Sequence, residues 1–475
     1  MDAESTRPWP SLGAASGLFV VVAGLVIGLR PLADNSFFTH LATGRIILDS
    51  GAVPSSDPYS FTAAGSPWLV QSWLASVLYA GAEKLGGATG LRLLAGLVAA
   101  GVTVLGWRLT RTAESLLPRL AIGAAFVAVG AGMWAERPLM LGLLALGMAV
   151  LAGRGELDPR WLVPIGWLWV NVHGSFPLGV LYLGVVAVGT MVDGQRPSTE
   201  VRALCWLTGG VVLGAVGPLG PSVLLFPFEL VQRQDVLQNV IEWRAPTFES
   251  FSQRAFLLQL VLAVLALVRL PSYREGLVVA VFAPAALLGS RNIAVASLLL
   301  VPVLADAAPR WGSLRSTTRS RLAAVLGVLG VSSLVLLSSV RIAQDDFELS
   351  AYPVDALAFV DEKGVDLAQH RLAAMDIVGN FMELIYGPRG EVFYDDRFDM
   401  FPDRVSNAHL ALVHAERSLV SELDEFEIEL VLAELSSASA QRLSVDPAWR
   451  VLYSDELWLL VCRREARLDG ELGVC

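Results

Sequence analysis

Residues 138–176 read PLMLGLLALGMAVLAGRGELDPRWLVPIGWLWVNVHGSF. Two apolar runs, 138–153 and 161–172, flank a connector holding Arg154 and Arg160, and the second run ends in Asn171-Val172-His173-Gly174-Ser175. An uncharged run of this length belongs either in a large buried core or in a bilayer. Repetition decides between them. Comparable runs occur at 11–30, 88–107, 119–134, 175–192, 203–217, 255–269, 275–290, 292–306 and 321–341. The chain is 54% hydrophobic and 17% charged, with mean hydropathy +0.57. A water-soluble protein cannot hide that much apolar surface. The expected fold is an α-helical polytopic membrane protein of about 11–13 transmembrane helices followed by a soluble α/β domain. The run 161–172 is short for a crossing and reads equally as a broken or re-entrant helix. Ser11–Arg30 reads as an uncleaved signal-anchor.

Charge is distributed unevenly. Residues 345–475 hold 27 Asp and Glu against 11 Lys and Arg, and the remainder holds 18 against 24. The expected domains are therefore 1–344, a multi-pass part with an outer loop at 31–87, and 345–475, an acidic domain able to bury its own core. Its expected strands are Arg371–Ile377, Glu391–Tyr394, Ile428–Ala433, Trp449–Ser454 and Leu457–Cys462, with helices at Val354–Lys363 and Arg417–Glu425. No basic footprint for nucleic acid is present. Cys205, Cys462 and Cys475 suggest neither a disulfide framework nor a metal knuckle.

Arginine placement orients the chain. With the N-terminus in the cytoplasm, Arg108, Arg111, Arg119, Arg154, Arg160, Arg196, Arg202, Arg269, Arg274 and the cluster Arg310–Arg321 fall inside. An odd number of crossings sends the acidic domain outside. The same threading sends out residues 31–87, the turn Ala135–Pro138, Asn171–Ser175, residues 218–254 and Ser290–Asn292. Within 31–87, Phe37–Asp49 and Trp73–Leu85 have apolar positions at helical spacing and are expected as interfacial helices, with Trp68 and Trp73 at headgroup depth.

These outward pieces carry the candidate site residues. Asp34 reads either as a base or metal ligand beside a membrane-embedded substrate, or as the N-cap of a helix starting at Ser36. His40 and Arg45 share that helix. Asp57, before Pro58, reads as an Asx turn or as the second carboxylate of a metal site. Arg137 suits bidentate phosphate recognition and is equally able to pair with Glu136. Asn171 and His173 place polar groups where irregular backbone is tolerated only inside protein or along a cavity. Glu242, Trp243, Arg291 and Asn292 sit at outer helix ends. The loop Phe393-Tyr394-Asp395-Asp396-Arg397-Phe398-Asp399 reads as a solvated acidic turn or as a cation or saccharide site. The expected spans carry no ionisable group at mid-depth, which counts against an ion-coupled transporter.

The layout of first helix, long outer loop with an acid, helical bundle and outer C-terminal domain resembles GT-C-type membrane glycosyltransferases. Asp34, His40-Leu41-Ala42-Thr43-Gly44-Arg45, Gly51, Pro54, Asp57-Pro58-Tyr59-Ser60-Phe61-Thr62, Trp68 and Trp73 resemble a group of bacterial membrane proteins of that class. So do Asn171, His173-Gly174-Ser175-Phe176, Glu242-Trp243, Arg291-Asn292, and Gly379-Asn380 with Phe393, Asp395 and Arg397. The resemblance implies inverting transfer of a sugar from a polyprenyl-phosphate donor to a hydroxyl of an envelope glycan, lipid or protein, outside a bacterial cytoplasmic membrane. It makes Asp34 the catalytic base or metal ligand. Arg137, Arg291 or His173 would meet the phosphate, and His40, Arg45, Asp57, Asn171, Glu242 and Trp243 would contribute to substrate binding. The sequence dictates no cofactor; a carboxylate pair here would take a divalent cation, Mg or Mn. Many such enzymes carry adjacent acids after the first helix, whereas Asn35 follows Asp34 here. A non-catalytic scaffold or sensor binding envelope glycolipid is the alternative, and a lipid or sugar transporter is a third reading.

Overall fold

The computed structural model describes residues 9–233, 241–308, 314–389 and 391–475. The chain divides into two compact units, Met1–Leu32 with Ala82–Asp346, and Ala33–Gly81 with Phe347–Cys475. The domain boundary expected at 344/345 thus falls at 346/347. Residues 33–81, expected as a loop of the helical domain, fold with the C-terminal residues instead.

The first unit is helical, and each of the eleven apolar runs forms helix. In chain order the first part comprises α1 (Leu12–Gly28), the C-terminal part of α3 (Trp73–Leu109), α4 (Leu116–Met133), α5 (Leu139–Gly153), α6 (Leu162–Val172), α7 (Phe176–Val192) and α8 (Ser198–Leu213). It continues with α9 (Ser222–Gln232), α10 (Phe251–Arg269), α11 (Tyr273–Leu288), α12 (Ile293–Asp306) and α13 (Arg321–Ile342). Serine begins several of these helices: Ser11, Ser250, Ser272 and Ser320 each accept a first-turn backbone N–H. α9 lies inside the outward piece expected at 218–254, where Leu225, Phe228 and Val231 repeat every third residue. Four described helices are long and apolar enough to cross a membrane: Trp73–Thr112, Leu116–Met133, Phe251–Arg269 and Arg321–Ile342.

Charges in this unit gather at helix ends. Arg92 is fully buried near the start of the 88–107 run. It donates to the Leu29 carbonyl at the end of α1 and to the Gln344 carbonyl past α13, and it pairs with Asp346 at 3.1 Å. One guanidinium thus satisfies orphan carbonyls of two helix C-termini. At other ends, Arg154 pairs with Asp306 at 2.8 Å, and Arg274 with Glu275 at 2.8 Å and Glu200 at 3.3 Å. Two of the arginines used to orient the chain are therefore neutralised in place.

The second unit is built on a four-stranded mixed sheet ordered β1 (Leu372–Ala374), β2 (Leu430–Glu434), β4 (Trp458–Arg463) and β3 (Trp449–Ser454). β1 runs parallel to β2, and the other neighbours are antiparallel. Around it lie α2 (Asn35–Ser50), α14 (Val354–Glu362), α15 (Asp376–Tyr386), α16 (Asp403–His414), α17 (Leu419–Glu425) and α18 (Ala438–Val445). The strand expected over Arg371–Ile377 stops at Ala374, because Asp376 opens α15. Glu391–Tyr394 is not a strand within the sheet; Val392 instead makes a parallel bridge with Ser60.

Residues 33–81 supply part of this unit's interior. Phe38 is 0% exposed and lies 5.2 Å from Tyr352 and 6.0 Å from Phe381, centroid to centroid. Ala63 belongs to the core with Phe393, Phe401, Val431 and Val461, and Phe61 packs against it. The α2 helix, expected to lie flat on lipid, therefore buries its apolar face in protein. Trp68, expected at headgroup depth, is 8% exposed and lies 6.2 Å from Tyr59. Two glycines permit the close approaches: a Cβ at Gly44 would meet the Ser76 carbonyl at 2.0 Å, and one at Gly379 the Tyr394 carbonyl at 2.0 Å.

Cys462 and Cys475 form a disulfide with Cα atoms 6.3 Å apart, where the sequence suggested no pairing. The chain turns back after β4, with Arg467 bridging Val474 and the Cys475 amide donating to the Ala466 carbonyl, so the terminus returns to the strand it left.

Two outcomes follow from this packing. Residues 347–475 expressed alone should show no cooperative unfolding transition by circular dichroism, because Phe61, Ala63 and their backbone pairing are missing. His409 is stacked 4.0 Å from Tyr394, and burial, with His414 adding, pushes its pKa down to about 3 from 6.5. Its stabilising contribution is complete above about pH 6.5 and is lost as pH falls toward 3. The thermal midpoint should therefore drop less between pH 7 and pH 4 in His409→Phe than in the parent protein.

Candidate functional site

In the second unit, polar side chains from four pieces of chain meet inside the fold. The N-terminal turns of α2 supply Ser36 and Thr39, and the turn after Pro54 supplies Asp57. One face of α15 supplies Asp376, Asn380 and Glu383 at helical spacing. The 395–397 loop supplies Asp395, Asp396 and Arg397. Arg397, 6% exposed, is the centre: it donates to Asp57 Oδ1 at 2.7 Å and Asp395 Oδ2 at 2.5 Å, and lies 3.3 Å from Glu383. Its guanidinium also stacks 4.6 Å from the Trp68 ring and 4.9 Å from Tyr59. Burial alone would lower the Arg397 pKa, but Asp395, Glu383 and Asp57 outweigh it and hold the cation. Burial and then the Asp395 charge push Glu383 well above the usual carboxylate range. Asp376 is raised to about 6, first by burial and then by Asp396.

The expected site residues in this unit fall around that centre. Asp34 occupies the N-cap position of α2, yet its side chain makes no capping hydrogen bond. His40 Nδ1 is 3.3 Å from Ser76 Oγ, and Arg45 donates to the Leu384 carbonyl at 3.0 Å, joining α2 to α15. Asp57 forms the Asx turn: its carboxylate accepts from the Tyr59 and Ser60 amides and from Ser60 Oγ, besides Arg397. With both oxygens taken up inside the fold, Asp57 does not fit a metal site shared with Asp34. Among the described residues no group of three or more His, Cys, Asp and Glu is arranged to hold a metal ion.

In the first unit, two further groups form. Arg137 pairs with Glu242, and the Arg291 guanidinium stacks 4.2 Å from the ring of the adjacent Trp243. Ser290 holds this group, its amide donating to the Arg244 carbonyl at 2.9 Å and its Oγ to the Glu242 carbonyl at 3.0 Å. Glu136, the alternative partner for Arg137, lies 3.8 Å from Arg30. The second group follows α6. Asn171, 1% exposed, donates to the Trp167 and Gly214 carbonyls and so fastens α6 to the end of α8. His173 Nδ1 accepts from the Ser175 amide at 3.1 Å, and Ser175 Oγ accepts from Trp169 Nε1 at 2.9 Å.

Asp34, His40, Arg45 and Asp57 thus lie in one unit with separate partners, whereas Arg137, Glu242, Trp243 and Arg291 form a group in the other. Glu383 and Asp376 are not among the residues singled out by the sequence, Asn380 and Arg397 enter only through the resemblance, and the 393–399 loop is left open between a solvated turn and a cation or saccharide site. The signal for the α15 residues was present in Asp376, Asn380 and Glu383 recurring at three- and four-residue spacing within an otherwise apolar run.

No family model matches the chain, and a search of curated proteins finds no similar one.

Breaking a buried ion pair from one side leaves an uncompensated charge, at a cost of about 3–5 kcal/mol. Arg397→Met should destabilise the second unit by about that much in denaturant titration. Arg397→Lys should not restore it, since an ammonium lacks the planar fork that reaches Asp57 and Asp395 together.

Proposed function

We propose that the protein is a multi-pass membrane glycosyltransferase that moves a sugar from a polyprenyl-phosphate carrier to a hydroxyl acceptor. The single observation that carries this reading is the Arg137–Glu242 and Arg291–Trp243 group. It gathers two arginines and an aromatic face at the ends of apolar helices, where a lipid-linked phosphate would present itself. In this reading the phosphate leaves against arginine and one displacement inverts the anomeric centre; the acceptor proton goes to a base, for which the resemblance of the sequence nominates Asp34. Any divalent cation would assist departure of the phosphate; Asp57 is not its ligand.

Two features support a bilayer setting. Val325, Val328, Val335 and Leu336 on α13 are each more than half exposed, a helix apolar on sides that protein does not cover. The Cys462–Cys475 disulfide suits an oxidising compartment, which supports an extracytoplasmic C-terminal segment. The commitment of Asp57 to Arg397 favours a second reading, a non-catalytic scaffold that binds envelope glycolipid without turnover.

Radiolabel transfer from a panel of polyprenyl-phosphate sugars in proteoliposomes separates the two. The enzyme reading expects turnover, and a loss of about 10²–10⁴-fold in Asp34→Asn, the usual contribution of general base catalysis. Undiminished transfer in that variant would remove the assigned base; saturable binding without turnover across the panel would favour the scaffold.

A further inference from the structure

The transfer reading leaves Asp376 and Asp396 without a role. Both are partly exposed and lie close enough that the Asp396 charge acts on Asp376. Among the described residues neither makes an ion pair with lysine, arginine or histidine, although Arg397, next in sequence, engages three acids. Beneath them lies Asn380, 0% exposed. Its Nδ2 donates to Thr39 Oγ1 at 2.5 Å and to Asp396 Oδ1 at 2.6 Å. Its Oδ1 is buried without a hydrogen-bond partner. A buried carbonyl oxygen left unsatisfied carries a desolvation cost that a ligand would relieve. Ser36 Oγ is bonded to the other Asp396 oxygen and adds a further hard oxygen beside it.

We propose that Asp376, Asp396, Asn380 Oδ1 and Ser36 Oγ bind a hard divalent cation, Ca2+ in preference to Mg2+. Two carboxylates neutralise its charge, and the carboxamide and hydroxyl add neutral oxygens. An irregular set of this kind suits Ca2+, which takes six to eight oxygens in flexible geometry, better than Mg2+, which demands a near-ideal octahedron. Water fills the remaining positions from the exposed side. The cation would fasten the first turn of α2, which begins beside Asp34, to α15 and the 395–397 loop. The proposal is independent of glycosyl transfer and is read out without it.

The test uses the purified full-length chain in detergent at pH 7.5, stripped with EDTA and titrated with CaCl2 or MgCl2 by calorimetry and thermal unfolding. Saturable Ca2+ binding with a raised midpoint is expected, weaker for Mg2+. Asp376→Asn and Asp396→Asn should each weaken Ca2+ binding by at least about tenfold, the scale of losing one charged ligand. Asp366→Asn, a carboxylate elsewhere in the unit, should leave it unchanged. In EDTA Asp376→Asn should unfold no earlier than the parent, because it removes a repelling charge, so binding lost in that variant would not reflect lost folding. No saturable binding of either cation at millimolar concentration, or binding unaltered in both site variants, would overturn the proposal.

Discussion

A guanidinium removed from water must be paid for by partners of excellent geometry, and Arg397 finds them in Asp57, Asp395 and Glu383. One of its hydrogen-bonding acids, Asp57, lies 340 residues away from it in sequence. The arrangement works because Asp57, Asp395 and Glu383 together surround one cation, while Trp68 and Tyr59 cover its faces. A lysine would present a point charge to one acid at a time; the planar fork addresses Asp57 and Asp395 together.

Everything near Asp34 inherits its position from that centre. Asp57 fixes the turn that delivers Tyr59–Thr62 to the 391–393 segment, where the Phe61 amide donates to the Val392 carbonyl and Thr62 Oγ1 to the Phe393 carbonyl. With that pairing in place, α2 lies against α15 through Arg45 and the Asn380–Thr39 bond. The residues between the first helix and the rest of the first unit are thus a structural component of the C-terminal fold. They are not a free loop, and Asp34 stands at the head of a helix whose interior face is fully committed.

The helices of the first unit were legible because sixteen or so consecutive apolar residues leave the backbone no partner but itself. Strands at Ile428–Ala433 and Trp449–Ser454 were legible from β-branched and aromatic runs bounded by turns. What escaped was long-range. Trp68 looked like a headgroup anchor because nothing local says that an arginine 329 positions later will cover it. Tyr59-Ser60-Phe61-Thr62 and Glu391–Tyr394 each alternate like edge strands, but a single sequence does not say that they pair with one another. Arg397 among Asp395, Asp396 and Asp399 reads either as a solvated turn or as a binding loop, and only the fold reveals that the acids it pairs with are buried. The return of Cys475 to Cys462 is likewise set by the turn after β4, not by spacing.

The joint between residues 33–81 and 347–475 is tested most directly by a covalent trap at the Ser60–Val392 bridge, where both side chains are buried. Cysteines introduced at both positions in the full-length chain should oxidise to a disulfide under mild conditions, seen by mass spectrometry as a single linked peptide. Failure of the pair to link, with both thiols freely labelled by maleimide in the folded protein, would contradict the shared fold on which the account rests.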